Sequence, residues 1–358
     1  MAITTTGDLK PFENQIRAGY IDELSRVANI FNAGSMGAIR FRDYDAAGTL
    51  SKESYLKDFG THSRRDPSST SSQIAEKIER AEHTMFRTFH KFNRVEFIDE
   101  AFNTADNKGV DYVYFLIGQR LAKVKLLASI GQAINVGAAA IESGGTGAGS
   151  AGTVLDLTSP TEKNFTQSQI NYARLKWGDR MSELRCMVMH SSAFLVLSQN
   201  QLLNEKYDVG AGMVLYGGTP GTLGMPIVVT DNEHLMYTED DKIYYKTLIL
   251  TLDAIVVGDG NNANPGTTGS VHAHAATEGG KENLISGFQA EWSMWNQVKG
   301  YQLKATASPA ENPSDAVLAN PLSWEQWVAE KRNTAGILVK APADLDAVKQ
   351  IVYVKMES

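Results

Sequence analysis

Apolar residues recur at helical spacing in two parts of the first half of the chain. Over residues 11–32 they follow a three- and four-residue spacing, which predicts an amphipathic helix. A second run covers about residues 110–141, where Val113, Ile117 and Leu121 line one face. At 1.5 Å per residue this second helix would be roughly 48 Å long, which is longer than most helices of globular proteins. The pattern therefore predicts one dominant helix that ends in a glycine-rich segment.

The segment between these two helices, residues 37–107, is long, charged and only loosely patterned. Its middle, residues 61–73, has almost nothing apolar to bury. Residues 74–98 fit both a helical and a strand period, and residues 50–58 fit either a short strand or a short helix. A segment that cannot form its own core is either disordered or held by neighbouring molecules. The second interpretation predicts an assembly of several copies.

The second half of the chain is richer in strand-like runs. Strands are predicted at residues 226–230, 244–252, 254–257, 297–304, 334–340 and 351–356. Helices are predicted at residues 165–183 and 322–330, with an apolar run followed by a turn over residues 187–200. The glycine- and asparagine-rich residues 258–283 are predicted to form a large loop.

Composition places the chain of 358 residues among globular proteins, with 42% hydrophobic and 21% charged residues. Its net charge of -7 argues against broad nucleic-acid binding by charge alone. The charge is unevenly distributed, because residues 201–282 carry eleven acidic and four basic residues, whereas residues 38–95 carry eleven basic and eight acidic. Opposite charges on different parts of one chain suit contacts between copies, although a solvated surface is the commoner explanation for a run of charged residues.

The single cysteine, Cys186, excludes an intrachain disulfide and fits a reducing compartment. It lies in an apolar run, which predicts a buried and inert thiol. The N-terminus lacks the basic start and apolar core of a signal peptide. Arg120, Lys123 and Lys125 interrupt the longest apolar run, so no membrane span is predicted. We therefore expect a soluble protein made inside a cell, without a membrane partner.

Two patterns are candidates for chemistry. The glycines of residues 147–152 match GxGxxG, but that dinucleotide motif needs a strand before it and a helix after it, and the predicted order here is reversed. His272 and His274 could place two imidazoles on one side of an extended segment, as some metal sites require. Surface histidines in a mobile loop are the preferred interpretation. No catalytic, cofactor-binding or metal-binding residue is predicted, and the chain is not expected to be an enzyme.

Four C-terminal segments carry a family resemblance. WNQVKGYQLK (295–304), NPSDAVLA (312–319), residues 324–331 and NTAGILV (333–339) resemble the major capsid proteins of tailed double-stranded DNA bacteriophages. LGMPIVVTD (223–231) looks like that family's central-domain strand, SRRD (63–66) like its extended loop, and residues 116–122 like its long spine helix. The segments follow one another in the family's order, and the similarity covers most of the chain.

The resemblance implies an α+β fold of the Hong Kong 97 capsid type. It places an N-terminal arm and helix at residues 1–36, an extended loop at 37–95, a peripheral domain at 96–170 with the spine helix at about 110–141, an axial domain at 171–330, and C-terminal strands at 331–358. The extended loop would lie across a neighbouring subunit, and much of residues 78–97 would form a strand.

The resemblance also implies the function: a major capsid protein that self-assembles into an icosahedral shell around double-stranded viral DNA. Implied partners are copies of itself in pentamers and hexamers, a portal protein, a separate scaffolding protein, a decoration protein, and DNA bound without sequence recognition. No cofactor is implied. The expected location is the virion capsid, assembled in the host bacterial cytoplasm. An encapsulin-like cellular nanocompartment and a metal- or nucleotide-dependent enzyme are the alternatives.

Five charged residues of the extended loop are the predicted subunit-interface residues: Lys52, Lys57, Arg64, Arg65 and Asp66. Arg64 and Arg65 lie in the polar middle of the loop, where no local apolar residue can position them, and Asp66 can neutralise only one of them. The guanidinium fork pairs with two carboxylate oxygens at once. The acidic residues 201–282 of another copy are one candidate complement, and such contacts would mainly fix the register between copies. The alternative is that both arginines face solvent.

Overall fold

The structure is a computed structural model. It describes residues 31–44, 50–56, 67–68, 80–98, 109–145, 152–158, 167–198, 206–208, 214–216, 225–239, 242–260, 271–278, 285–304, 312–328 and 333–342. Most of the helix predicted at residues 11–32, the polar residues 69–73 and the strand predicted at 351–356 lie outside the described residues.

The described residues form α-helices, short 3₁₀ helices and strands that alternate along the chain. The α-helices are α1 (Gly109–Ser143), α2 (Gln167–Leu175), α3 (Ser191–Ser198) and α4 (Asp315–Ala319). Short 3₁₀ helices cover Gly178–Glu183, Glu233–Leu235 and Pro321–Ser323. The strands are β1 (Ile39–Tyr44), β2 (Leu50–Leu56), β3 (Arg80–Ile98), β4 (Val154–Asp156), β5 (Leu184–His190), β6 (Lys206–Asp208), β7 (Val214–Tyr216), β8 (Ile227–Thr230), β9 (Met236–Glu239), β10 (Lys242–Thr251), β11 (Ile255–Gly260), β12 (Val271–Glu278), β13 (Ile285–Val298), β14 (Tyr301–Leu303), β15 (Trp324–Gln326) and β16 (Gly336–Pro342).

The strands form two sheets. The first sheet has the order β1-β11-β13-β14-β15, with β12 and β3 also paired to β13, and with β2 paired to β3. The second sheet has the order β4-β16-β10-β5-β8-β7-β6, with β9 paired to β10. The pairs β1–β11, β4–β16 and β5–β8 are parallel, and the other described pairs are antiparallel.

Helix α1 lies in one core shared by both sheets. That core contains Ile134 and Ile141 of the helix, Trp292 of the first sheet, and Val188 and Leu248 of the second. From residue 132 to residue 141 every position except 135 is buried, whereas the N-terminal half of α1 is amphipathic. The helix is therefore held on nearly all sides at its C-terminal end and on one side at its N-terminal end.

A second core covers the other face of the second sheet. Helices α2 and α3 supply Ile170, Ala173 and Phe194 to it, and Met187 and Ile249 come from the sheet beneath. The second sheet is thus covered on both faces, so its central strands carry continuous apolar runs rather than a strict apolar–polar alternation. This explains why β5 and β10 stand out as apolar runs in the sequence.

The predicted mixed α+β fold is confirmed. The long helix at residues 110–141 is α1, two residues longer at its C-terminal end. The ambiguous residues 80–98 form a strand, as the family resemblance implied, because β3 pairs with β13 along most of its length. The strands predicted at 226–230, 244–252 and 334–340 are β8, β10 and β16, within two residues at most boundaries.

The predicted loop at residues 258–283 is wrong for the segment that contains the two histidines. His272 and His274 lie in strand β12, where their backbones pair with Glu291 and Gln289 of β13. The glycine and asparagine content of the whole segment concealed a short alternation of His and Ala at residues 271–276, and the partner strand β13 stabilises this alternation as a strand.

Three further boundaries differ from the prediction. Residues 297–304 are not one strand, because β13 ends at Val298 and a turn with Gly300 at φ +81° leads into β14. Residues 322–330 do not form one helix where described, because the 3₁₀ helix Pro321–Ser323 is followed by β15, which pairs with β14. The helix predicted at 165–183 is divided into α2 and a 3₁₀ helix, which begins at Gly178 with φ +61°.

Residues Phe115–Ser143 of α1 are long and apolar enough to cross a membrane by length and composition. Most of the apolar part of this helix is buried inside the protein, as expected for the core helix of a globular fold.

Gly336 provides a test of the close packing between β16 and β10. Its φ is +151°, and a Cβ atom there would overlap the carbonyl oxygen of Ile249. We expect Gly336→Ala to lower the free energy of unfolding of the unassembled subunit by about 3 kcal/mol, because both the backbone conformation and the space oppose a side chain. Urea unfolding followed by circular dichroism measures this change.

Gly145→Ala is the matched control. Gly145 also has a positive φ, +66°, but no atom lies within 4 Å of the position that a Cβ atom would take. Only backbone strain of about 1 kcal/mol is then expected. Equal losses in the two variants would contradict the packing explanation.

Candidate assembly surfaces

Strand β3 divides into two parts with different support. Phe86 is the dividing residue, since it lies opposite both Leu50 of β2 and Asn296 of β13. Residues 86–98 pair with β13, whereas residues 80–86 pair with β2. We call the two-stranded part, residues 50–56 and 80–86, the ribbon.

The ribbon extends past the end of β13. At about 3.3 Å per residue it is roughly 20 Å long. Among the described strands its only pairing beyond Phe86 is between β2 and β3 themselves. A two-stranded hairpin alone is at best marginally stable in water. The ribbon therefore needs support beyond the pairing of its own two strands, and its base supplies part of that support.

The base of the ribbon is anchored in the core. Met85 and Phe86 are buried, and the Phe86 ring meets the Trp324 ring edge to face, with centroids 5.6 Å apart. Trp324 is fixed in turn, because its Nε1 donates to the carbonyl oxygen of Leu318 at 3.0 Å. The ribbon thus leaves the core from a rigid origin.

A buried polar network follows directly after the anchor and joins β3 to α1. Thr88 Oγ1 accepts a hydrogen bond from Gln132 Nε2 at 3.0 Å and another from Asn296 Nδ2 at 3.3 Å. His90 Nε2 lies 3.1 Å from the same hydroxyl, and the His90 ring stacks on Trp292. Networks of this kind fix one arrangement of the strand on the helix.

Burial lowers the pKa of His90, and the charge of Asp315 and the hydrogen bond with Gln132 offset this only in part. His90 is therefore neutral at neutral pH, and its charged form is disfavoured in the folded protein. His90 therefore adds no positive charge to the buried junction between β3 and α1.

Arg87 organises the opposite side of β3. Its Nη2 donates to Ser293 Oγ at 2.7 Å, and its guanidinium lies 5.0 Å from the Phe89 ring centroid and 5.9 Å from that of Trp295. Phe89 is 46% exposed. Arginine with large aromatic residues is the composition typical of the energetic centres of protein interfaces.

A charged clamp joins the C-terminal end of α1 to the second sheet. Glu142 Oε2 accepts from Lys246 Nζ, and Glu142 Oε1 lies beside Lys340 Nζ, both at 2.7 Å. The Tyr237 ring lies 5.3 Å from Lys246 Nζ and 5.4 Å from Lys340 Nζ. One carboxylate thus holds two neighbouring strands, β10 and β16, to the helix.

Electrostatics keep this clamp ionised. Burial alone would raise the pKa of Glu142, but the hydrogen bonds and charges of Lys246 and Lys340 outweigh burial and hold the pKa below its usual value. The neighbouring Tyr237 has its pKa raised, first by burial and then by the charges of Asp156 and Glu239, so its hydroxyl stays protonated.

The predicted interface residues are only partly described. The backbone of Lys52 lies in β2 opposite Thr84, which places it in the ribbon. Lys57, Arg64, Arg65 and Asp66 lie outside the described residues, so their contact role stays a prediction. Sequence reasoning missed Arg87, although an arginine within three residues of two phenylalanines was a signal for an aromatic–cation cluster.

The predicted state of Cys186 is confirmed, since it is buried and burial raises its pKa to about 12. The glycine motif lies between α1 and β4, so a helix precedes it and a strand follows, the reverse of the dinucleotide arrangement. Within the described ranges, no three His, Cys, Asp or Glu side chains come together as metal ligands.

Comparison with protein families matches this chain to a family described as Gp13-like, major capsid protein 13-like, over residues 8–338. A comparison with curated proteins gives no match.

Three solved structures illustrate what this chain is similar to. The capsid of the cyanophage P-SCSP1u is 11% identical, with a TM-score of 0.45, covering 74% of this chain and 84% of that one. The capsid of Ralstonia phage GP4 is 10% identical, with a TM-score of 0.48 and coverage of 86% and 87%. The SrpI encapsulin of Synechococcus elongatus is 9% identical, with a TM-score of 0.41 and coverage of 84% and 83%.

The clamp predicts a pH-dependent contribution to stability. We expect Glu142→Gln to lower the free energy of unfolding at pH 7 by roughly 2 kcal/mol, because it leaves two partly buried lysines without their carboxylate. The folded pKa of Glu142 lies below its unfolded value, so the contribution is complete above about pH 5 and is lost as the pH falls through the folded pKa. Urea unfolding of both proteins between pH 7 and pH 3 measures it.

Glu183→Gln is the control, since Glu183 pairs with Arg180 at 2.6 Å on an exposed turn. An exposed pair of this kind contributes roughly 0.5 kcal/mol or less. A loss from Glu142→Gln that is no larger than this, or that grows as the pH falls, would rule out the clamp.

Proposed function

The chain belongs to the major capsid protein 13-like family, and from this premise we propose that it is the shell subunit of a tailed bacteriophage. Copies of the chain assemble into an icosahedral capsid around double-stranded DNA. The family match over residues 8–338 confirms the resemblance found in the sequence and carries this conclusion. The location that follows is the virion capsid, and the role is structural rather than enzymatic.

The domain arrangement is part of the proposal. The ribbon corresponds to the inner part of the extended loop at residues 37–95, and α1 to the spine helix of a peripheral domain at residues 96–170. The second sheet supplies the strands of the proposed axial domain (residues 171–330) as far as residue 251, whereas β11 to β15 of the same range belong to the first sheet. The fold type proposed is that of the Hong Kong 97 capsid, in which the extended loop lies on a neighbouring subunit.

One feature of the molecule supports assembly most directly: the ribbon. Two strands leave a well-packed core and continue for roughly 20 Å with no third strand among the described residues. Such a hairpin is marginal alone but stable when a neighbouring copy covers it. Repeated over a closed lattice, many modest contacts of this kind give a stable shell.

Other proposed partners are a portal protein, a separate scaffolding protein, a decoration protein, and DNA packaged without sequence recognition. Assembly in the host cytoplasm belongs to the same proposal. The family match favours a phage capsid over an encapsulin-like compartment or an enzyme.

Deleting residues 54–72 tests the role of the ribbon and of the loop that follows β2. This deletion removes Lys57, Arg64, Arg65 and Asp66 together. We expect the unaltered chain to form megadalton shells, and the deletion variant to stay folded but to form none, because the contacts removed lie between copies. Sedimentation and electron microscopy measure assembly, and circular dichroism of the same samples measures folding.

Two further variants separate charge from loop length. Replacing Arg64 and Arg65 with Glu should impair assembly, and replacing both with Lys should impair it less, because Lys keeps the charge but not the forked geometry. The wild-type contact should weaken as salt rises.

Normal shells from the deletion variant would show that the loop is dispensable. A stable monomer as the only native form of the unaltered chain would refute the proposed function.

A further inference from the structure

The N-terminal half of helix α1 carries a strip of apolar and basic side chains on its outer face. Leu116, Arg120, Lys123 and Leu127 are spaced by three or four residues and therefore lie on one face. Leu116 and Leu127 are each 43% exposed, and Arg120 is exposed. Two large apolar side chains and a cation thus face outward on a helix whose other side is buried in the core.

The same surface becomes acidic one helical turn further along. Asn232 Nδ2 donates to the carbonyl oxygen of Gly131 at 3.2 Å, which places the 3₁₀ helix Glu233–Leu235 against α1 just beyond Leu127. Asp231 and Glu233 are exposed there, and Met236, which follows, is 39% exposed. His234, the other titratable residue of this turn, is also exposed.

The order of these groups makes the surface self-complementary. Arg120 lies about 10 Å from Leu127 along the helix axis, and Gly131, where the acidic turn packs, lies about 6 Å from Leu127 in the other direction. The basic and acidic ends are therefore on opposite sides of Leu127. Their separation along the helix is about 16 Å, beyond the roughly 8 Å over which physiological salt screens charges, so the two ends do not neutralise each other within one chain.

We propose that this surface, defined by Leu116, Arg120, Leu127, Glu233 and Met236, is a two-fold contact between two copies of the chain, with Leu127 near the axis. A two-fold axis through Leu127 brings Arg120 of each copy beside Glu233 of the other. It also carries Leu116 of each copy past Gly131 of the other, towards the end at which the acidic turn packs. An isologous contact requires this pattern, in which residue i meets residue j and residue j meets residue i.

The proposal rests on the proposed function, because a closed icosahedral shell contains two-fold axes between its capsomers. It adds the particular surface and the pairing of its residues. The occupant is a second copy of this chain, since the charge on each end is matched by the opposite end of the same surface.

A charge exchange tests the pairing. We expect Arg120→Glu and Glu233→Arg each to lower shell yield by at least about tenfold, because each change places two like-charged pairs at the axis. The double variant Arg120→Glu with Glu233→Arg restores opposite charges and should recover most of the yield. Sedimentation of the full-length protein measures shells, and circular dichroism verifies folding. Arg185→Glu, an exposed arginine on β5, is the control and should assemble normally.

A thiol placed near the axis gives an independent measurement. The only natural cysteine, Cys186, is buried, so Leu127→Cys adds the sole accessible thiol. After mild oxidation, shells of this variant should give a disulfide-linked dimer on a non-reducing gel, since a disulfide needs Cα atoms about 4.4–6.8 Å apart. The Leu195 side chain on α3 is 48% exposed, and Leu195→Cys is the control. Its chains should remain monomers on the same gel.

The outcomes distinguish a failure of the proposed capsid function from a failure of the two-fold contact alone. If the unaltered chain forms no shells, the proposed function and this contact both fail. If the unaltered chain forms shells, but the double variant assembles no better than the single ones and Leu127→Cys gives no dimer, the two-fold contact alone is wrong. Single variants that assemble like the unaltered chain would also overturn it.

Discussion

The burial of the C-terminal half of α1 between two sheets is the constraint on which the rest of the molecule depends. A helix enclosed on nearly all sides needs small residues where the sheets approach it, and Ala133, Gly137 and Ala140 supply them. At Gly137 a Cβ atom would overlap the side chain of Ile255 of β11, so the missing side chain leaves the space that this isoleucine fills. Glu142 then fixes the end of the helix to the second sheet.

Two elements extend outward from this packed centre and present surfaces for contact with other copies. Strand β3 is anchored to Trp324 by Phe86 and to the helix by Thr88, and on the other side of Phe86 it extends as one strand of the ribbon. The N-terminal half of α1 leaves the enclosed region and exposes Leu116 and Leu127. In both places an element is packed in the core at one end. At its other end it extends outward as a paired strand or exposes apolar side chains. A subunit of this kind is stable by itself in its centre and completes its periphery with neighbouring copies.

The sequence predicts those helices and strands whose hydrophobic pattern lies within one segment of the chain. The period of α1 and the apolar runs of β10 and β16 are local, and they were predicted nearly to the residue. The strand at residues 80–98 was ambiguous, because Met85, Phe89 and Phe92 fit a helix as well as they fit a strand. Its pairing with β13, about two hundred residues away, decides the outcome.

The clamp was not predicted for the same reason. Glu142 and Lys246 are 104 residues apart, and a pattern within one segment does not reveal such a partner. A signal was nevertheless present, since Lys246 and Lys340 each interrupt an apolar strand and a buried lysine needs a counter-charge. The charged loop residues stand out by their place in a polar segment that resembles the family's extended loop, and only Lys52 among them lies on a described strand.

Hydrogen exchange, measured on the unassembled subunit and on assembled shells, tests the central claim most directly: that the ribbon is stabilised by a neighbouring copy. Amides of residues 51–56 and 80–85 should exchange quickly in the free subunit and become protected in shells. Amides of residues 133–141 in α1 should be protected in both, because the core of the subunit holds them. Ribbon amides that are equally protected in the free subunit would contradict the account.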